Sequence, residues 1–175
     1  MTHVEPEAVL FPRAILIDRR EKALYTFTGF YTDARQGRKR LKVLTRTTDL
    51  PSGDYSLAGL KEEIAVERKS REDLYHTLGQ ARDRFEKELV RLSTMAFAAV
   101  VIEADWQTLL HDPPANSRLP PKVIFRSIIA WQQEYPRIHW WTAADRRFAE
   151  ITTFRILERY CRRSNAGSNH RNLSD

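Results

Sequence analysis

Gly53-Asp54-Tyr55-Ser56-Leu57-Ala58-Gly59-Leu60-Lys61-Glu62-Glu63-Ile64-Ala65-Val66-Glu67-Arg68-Lys69 is the stretch that decides how the rest of the chain is read. Pro51-Ser52-Gly53-Asp54 is a turn. Residues 55–58 and 64–69 then read as two neighbouring strands joined through 59–63. Strand side chains alternate between faces, so Ile64, Val66 and Arg68 point one way and Ala65, Glu67 and Lys69 the other. A carboxylate and an ammonium therefore project from one face. A hairpin-like return brings Asp54, at the start of the preceding strand, beside Glu67.

Outward from this stretch the chain alternates strands and helices. Upstream, Ala14-Ile15-Leu16-Ile17 is a short apolar strand ending at Asp18, and residues 41–45 form another. Downstream, Leu74, Leu78, Ala81, Phe85, Leu89 and Leu92 recur at spacings of three and four, which predicts one long helix over 70–95. Ser70 with Asp73 resembles a capping box at its start. Charged pairs four apart, Arg82–Glu86, Asp83–Lys87 and Arg84–Glu88, read as a solvated, self-paired face. Residues 96–103 are a strand buried on both sides, 111–121 a proline-rich loop, 124–135 a helix closed by Pro136, 138–142 a strand and 144–163 a final helix. A leader over 1–13 and a polar, disordered tail over 164–175 flank a domain at 14–163. The fold class is mixed α/β: a central β-sheet flanked by helices.

Composition narrows the function classes. The 175 residues carry 42% hydrophobic and 30% charged side chains and a net charge of +6, the profile of a globular domain. No apolar run approaches the roughly 18 residues of a membrane span, and the acidic N-terminus lacks the pattern of a signal peptide. One cysteine, Cys161, excludes internal disulfides and Cys-rich zinc sites, which fits a reducing cytoplasm. The five histidines show no ligand spacing. Residues 34–48 hold Arg35, Arg38, Lys39, Arg40, Lys42 and Arg46 and no acid, so this stretch carries the whole excess charge. Such a run suits contacts to a nucleic-acid backbone, which position a duplex without reading sequence.

Asp54 and Glu67 supply the chemistry. Two carboxylates in a partly buried site repel each other unless a cation intervenes, and hard oxygen ligands suit Mg²⁺ or Mn²⁺. Such an ion polarises a phosphate oxygen and acidifies a bound water. Lys69 can orient that water or stabilise charge growing on phosphorus.

Gly53-Asp54, a gap, Glu67-Arg68-Lys69, three residues and Asp73 together resemble the signature of the XPF-type (ERCC4-domain) structure-specific nuclease family. That family is a branch of the restriction-endonuclease-like superfamily with its PD-(D/E)xK motif. Upstream, Asp18-Arg19-Arg20-Glu21 matches the family's Asp-x-Arg-Glu, and the Arg84-Phe85 helix and the strand ending Val101-Ile102-Glu103 follow in the expected order. The chain looks like a minimal bacterial or phage version, without helicase-like or helix-hairpin-helix regions.

The resemblance implies a restriction-endonuclease-like core and a metal-dependent DNA endonuclease acting on branched or flap-type DNA in repair or recombination. It makes Asp54 and Glu67 the metal-binding carboxylates and Lys69 the catalytic lysine. Asp18 and Glu21 would assist the metal at the edge of the site, and Asp73 would orient Lys69 or Arg68. It also implies a homodimer through the final two helices, using the apolar residues of 124–135 and 148–161. The rival readings are a non-catalytic DNA-binding or dimerisation module of the same fold, and a resolvase or exonuclease of the same superfamily. Glu103, which ends its strand, is a further acid that could reach the site.

Overall fold

The computed structural model describes residues 8–32 and 37–171, with side chains described as far as residue 166. In chain order its elements are β1 (Val9–Leu10), β2 (Ile15–Asp18), β3 (Leu41–Lys42), β4 (Thr45–Thr48), β5 (Tyr55–Leu57), β6 (Ile64–Lys69), α1 (Arg71–Gln80), α2 (Arg82–Ser93), β7 (Phe97–Ile102), α3 (Trp106–His111), α4 (Pro121–Glu134), β8 (Ile138–Thr142) and α5 (Arg146–Arg171). Six strands form one mixed sheet in the order β4-β2-β5-β6-β7-β8. Only β5 runs against its neighbours. The pairs β2–β4, β6–β7 and β7–β8 are parallel, whereas β5 is antiparallel to both β2 and β6.

Both faces of the central strands are covered, and the alternation expected in β6 holds. Val66 faces a cluster with Ile17, Tyr55, Val101, Phe154 and Leu157 beneath α5. Ala65 faces the other cluster, with Leu74, Phe85, Leu89, Val100, Ile128 and Trp131 from α1, α2, β7 and α4. β7, buried from Ala98 to Ile102, alternates in the same way, Ala99 and Val101 toward one cluster and Ala98, Val100 and Ile102 toward the other.

Four expectations need correction. The long helix over 70–95 is two helices, broken at Ala81, whose φ of −122° and ψ of 25° leave the helical region. The break follows Gly79, the weakest helix former in the run, and both halves keep their apolar faces on the sheet. The presumed leader is partly structural: β1 pairs in parallel with β3, and Phe11 packs its ring 5.4 Å from that of Phe154 in the core. The single strand expected at 41–45 is two, β3 beside β1 and β4 at the edge of the main sheet. The last helix runs on through Arg171 where a tail was expected from 164; residues 172–175 lie outside those described.

Candidate active site

Because β5 alone is reversed, its first residues meet the C-terminal ends of β2, β6 and β7 at one edge of the sheet. Between this edge and the helices α1 and α2 lies a cavity of about 660 Å³, lined by Asp18, Glu21, Asp54, Glu67, Lys69, Asp73, Arg84 and Glu88 among others.

Gly53 begins the site. Its φ is +71°, and a Cβ there would sit 3.1 Å from both the Ala65 Cβ and the Val66 carbonyl oxygen, so only glycine lets the turn lie this close on β6. Asp54 then donates its N–H to the Val66 carbonyl at 2.9 Å, and its Oδ2 accepts the Arg68 N–H at 2.7 Å. These bonds bring Asp54 alongside Glu67, as the hairpin reading expects. Burial and the neighbouring Glu67 charge push the Asp54 carboxyl well above the usual carboxylate range. Among the described residues Asp54 has no ion-pair partner.

Glu67 is buried and its Oε1 lies 2.8 Å from the Lys69 Nζ. Burial raises its pKa, Lys69 opposes this, and the charges of Glu88 and Glu21 add to it. Burial works against the Lys69 ammonium, but Glu67, Asp54 and Asp73 outweigh it and hold the group charged above the ordinary lysine value. The ammonium also sits 4.6 Å above the Phe85 ring, a cation–π contact from α2.

Arg68, between these two and expected among the catalytic residues, finds its ion-pair partners on the other face. It forms a bidentate pair with Glu103 at 2.7 Å through both Nε and Nη2, and its Nη1 is 3.6 Å from Glu21. Glu103 also accepts from Arg146 and from the Tyr25 hydroxyl, which burial and Glu103 together keep protonated. Glu103 therefore serves as the hub of a network behind the site. Nothing in its own segment announces these partners.

Asp18 lines the same cavity and is held by hydrogen bonds to its own turn and to Leu50. Oδ1 accepts from the Arg20 N–H and Nε, and Oδ2 from Arg20 Nη2 and the Leu50 N–H, which fills the roughly four acceptor positions of a carboxylate. Burial would raise its pKa, but these bonds win and lower it. Asp18 thus braces the 18–20 turn against the 49–50 turn, while Glu21 reaches the cavity wall and accepts from the Ala23 N–H. Ser70 caps α1, its Oγ accepting the Asp73 N–H, and Asp73 lines the cavity, where its charge helps hold Lys69.

The basic run lies elsewhere. Arg35 falls outside the described residues. Arg38, Lys39, Arg40 and Lys42 are exposed and precede β4, whose first residue pairs with Ile15 and whose last pairs with Asp18. The run is thus at the end of the sheet opposite the cavity, roughly one strand length or 10–13 Å away. Arg38 stacks on the Tyr31 ring at 4.4 Å.

Glu88 is the residue that sequence patterning misplaced. Helical spacing pairs it with Arg84 on a solvated face. In the structure it instead turns inward, accepts from Ser52 and Gly53, and pairs with Arg91, whereas Arg82–Glu86 forms as expected at 2.9 Å.

An α/β sheet that gathers acids, a charged lysine and a glycine turn at one set of strand ends defines a nuclease-type core. A model of the ERCC4 domain matches residues 17–154, and the chain belongs to that family. Two solved structures share the fold. "XPF from Aeropyrum pernix" is 17% identical, with a TM-score of 0.60, covering 89% of this chain and 69% of its own. "XPF from Aeropyrum pernix, complex with DNA" is 19% identical, with a TM-score of 0.58, covering 87% and 66%. None of the curated proteins matches the sequence. Among the described residues no helix is long and apolar enough to cross a membrane.

Proposed function

We propose that this domain is a divalent-metal-dependent DNA endonuclease that hydrolyses phosphodiester bonds, with branched or flap-type DNA as its substrate. The observation that carries the reading is Asp54: a carboxylate sunk beside Glu67, without an ion-pair partner among the described residues, in a cavity at the strand ends.

The donor set fits Mg²⁺ or Mn²⁺. Two raised-pKa carboxylates repel as they stand, and a hard dication would draw both into their ionised forms. Asp54 and Glu67 would hold it. Among the described residues no cluster of three or more His, Cys, Asp or Glu side chains is placed to bind a metal, so water and a substrate phosphate would complete the coordination. When bound, such an ion polarises a phosphate oxygen and lowers the pKa of its water.

This chain's own residues supply the rest. Lys69 is held cationic by Glu67, so it cannot remove a proton near neutral pH; it stabilises the negative charge that builds on phosphorus. Arg68 keeps the strand end in place through its N–H to Asp54 and its side chain to Glu103. Exposed Arg84 and Lys22 line the cavity and can meet flanking phosphates, with the run at 38–42 contacting the backbone farther along the duplex.

A homodimer completes the reading. Ile124, Ile128 and Trp131 of α4 are consumed by the domain's own core, which leaves Phe125 and Ile129 on α4, Trp141 on β8 and Phe148 on α5 as the outward apolar surface. Light scattering at tens of micromolar should give twice the chain mass; a monomer would refute pairing.

The decisive test compares wild type and Asp54→Ala on flap, fork and plain duplex DNA with Mg²⁺. Wild type should cut a branched substrate and the variant none. Equal cleavage by both would sink the assignment.

A further inference from the structure

Glu88 lies on α2, where helical periodicity marks it as a surface charge, yet it lines the cavity. Its two oxygens have separate duties. Oε1 accepts the Ser52 hydroxyl at 2.6 Å and the Gly53 N–H at 2.9 Å. Oε2 pairs with Arg91. Burial opposes its charge, but the Ser52, Gly53 and Arg91 bonds outweigh this and keep the carboxyl below its usual range.

The first duty reaches the chemistry. Ser52 and Gly53 immediately precede Asp54, whose own backbone is tied to β6 through its N–H to Val66 and to β2 through its carbonyl, which accepts the Asp18 N–H at 2.8 Å. A left-handed glycine has wide conformational freedom, so a fixed acceptor on its N–H removes the main way the turn could swing. The helix thus grips the turn from one side and β6 grips Asp54 from the other.

We propose that Glu88 is a positioning residue that fixes the Ser52–Gly53 turn, and through it the Asp54 carboxylate, against Glu67 and Lys69. The proposal deepens the nuclease reading and rests on it for the consequence in catalysis. It makes a chemical distinction. The grip needs an acceptor at Oε1 and does not need a charge, because a neutral oxygen accepts the Ser52 hydroxyl and the Gly53 N–H as well.

Glu88→Gln keeps an oxygen at Oε1 but removes a charge that Glu67 feels, so its cleavage rate and Mn²⁺ affinity should change less than those of Glu88→Ala, with the turn still held. Glu88→Ala removes the acceptor. Mn²⁺ affinity and cleavage rate should fall by about 10–100-fold, as for residues that orient metal ligands, while DNA affinity measured without metal stays unchanged. Hydrogen exchange at the Gly53 amide should be slow in wild type and Glu88→Gln and fast in Glu88→Ala. Should the alanine variant fail to fold, Glu88→Met, of similar length and without the acceptor, takes its place. Equal losses in Gln and Ala, or a Gly53 amide indifferent to both, would overturn the proposal. If wild type cuts no DNA at all, the nuclease reading fails, and Gly53 exchange still decides whether Glu88 grips the turn.

Discussion

Glu67, Arg68 and Lys69 are consecutive on one strand, yet they belong to two different environments. On the α5 side Arg68 meets Glu103 and Glu21, and Glu103 meets Arg146 and Tyr25, so each charge finds an opposite partner. On the cavity side Lys69 pairs with Glu67 and acts on Asp54 only at longer range, so among the described residues Asp54 has no ion-pair partner. One face is a closed electrostatic network and the other an open one. Closed networks hold structure. An open pair of carboxylates destabilises the domain until something positive arrives, which marks a site where function overrides local stability.

The comparison breaks first at Lys69. If the cavity face is chemical, Lys69→Gln should cut the cleavage rate by about 10²–10³-fold, the cost of removing one stabiliser of developing charge, with a smaller loss of stability than at Arg68 because an amide can still donate to Glu67. Arg68→Ala should do the reverse. It strips a buried partner from Glu103 and should destabilise the fold by about 3 kcal/mol in denaturant titration, the low end for a broken buried pair, because Arg146 and Tyr25 still serve Glu103. A Lys69 variant that unfolds, or an Arg68 variant that stays fully stable, would erase the distinction between the faces.

Asp54→Asn sharpens it further. A carboxyl whose folded pKa is raised favours the folded state fully below its unfolded value near 3.8 and withdraws that stability as pH rises toward the folded pKa. The asparagine variant should therefore melt higher than wild type at neutral pH without metal, with the gap closing as pH falls toward 3.8. Thermal melts across pH in chelator check the sign; a lower melting temperature for the variant would contradict it. The smallest effect belongs to the basic run, far from both faces. Neutralising Arg38, Lys39 and Lys42 should flatten the salt dependence of DNA binding by about 0.9 per lost phosphate contact and leave the rate at saturating DNA unchanged.

Local pattern made the strand faces legible: the period of two in 64–69 separates Arg68 from its neighbours, and the glycine turn returns Asp54 to Glu67. The helix cap at Ser70 is equally local, since donor and acceptor lie three residues apart. Glu88 and Glu103 were hidden for the opposite reason. Their partners lie 34 or more positions away in the chain for Gly53 and Arg68, and no periodicity encodes such pairings. At Asp18 the motif names a residue type at a strand end but says nothing of the four bonds it makes to Arg20 and Leu50. The basic run adjoins the hairpin of residues 54–69 in sequence, but β4 runs parallel to β2 and puts its start at the far end of the sheet.

The central claim is that Asp54 and Glu67 form an open carboxylate pair awaiting a dication. Isothermal titration with Mn²⁺, without DNA, tests it most directly in wild type and Asp54→Asn at several pH values. Wild type should bind Mn²⁺ with proton release, more tightly as pH rises, because the ion displaces protons held by the raised carboxyls. Asp54→Asn should lose that binding. Absence of binding in wild type, or the same binding in both proteins, would contradict the account.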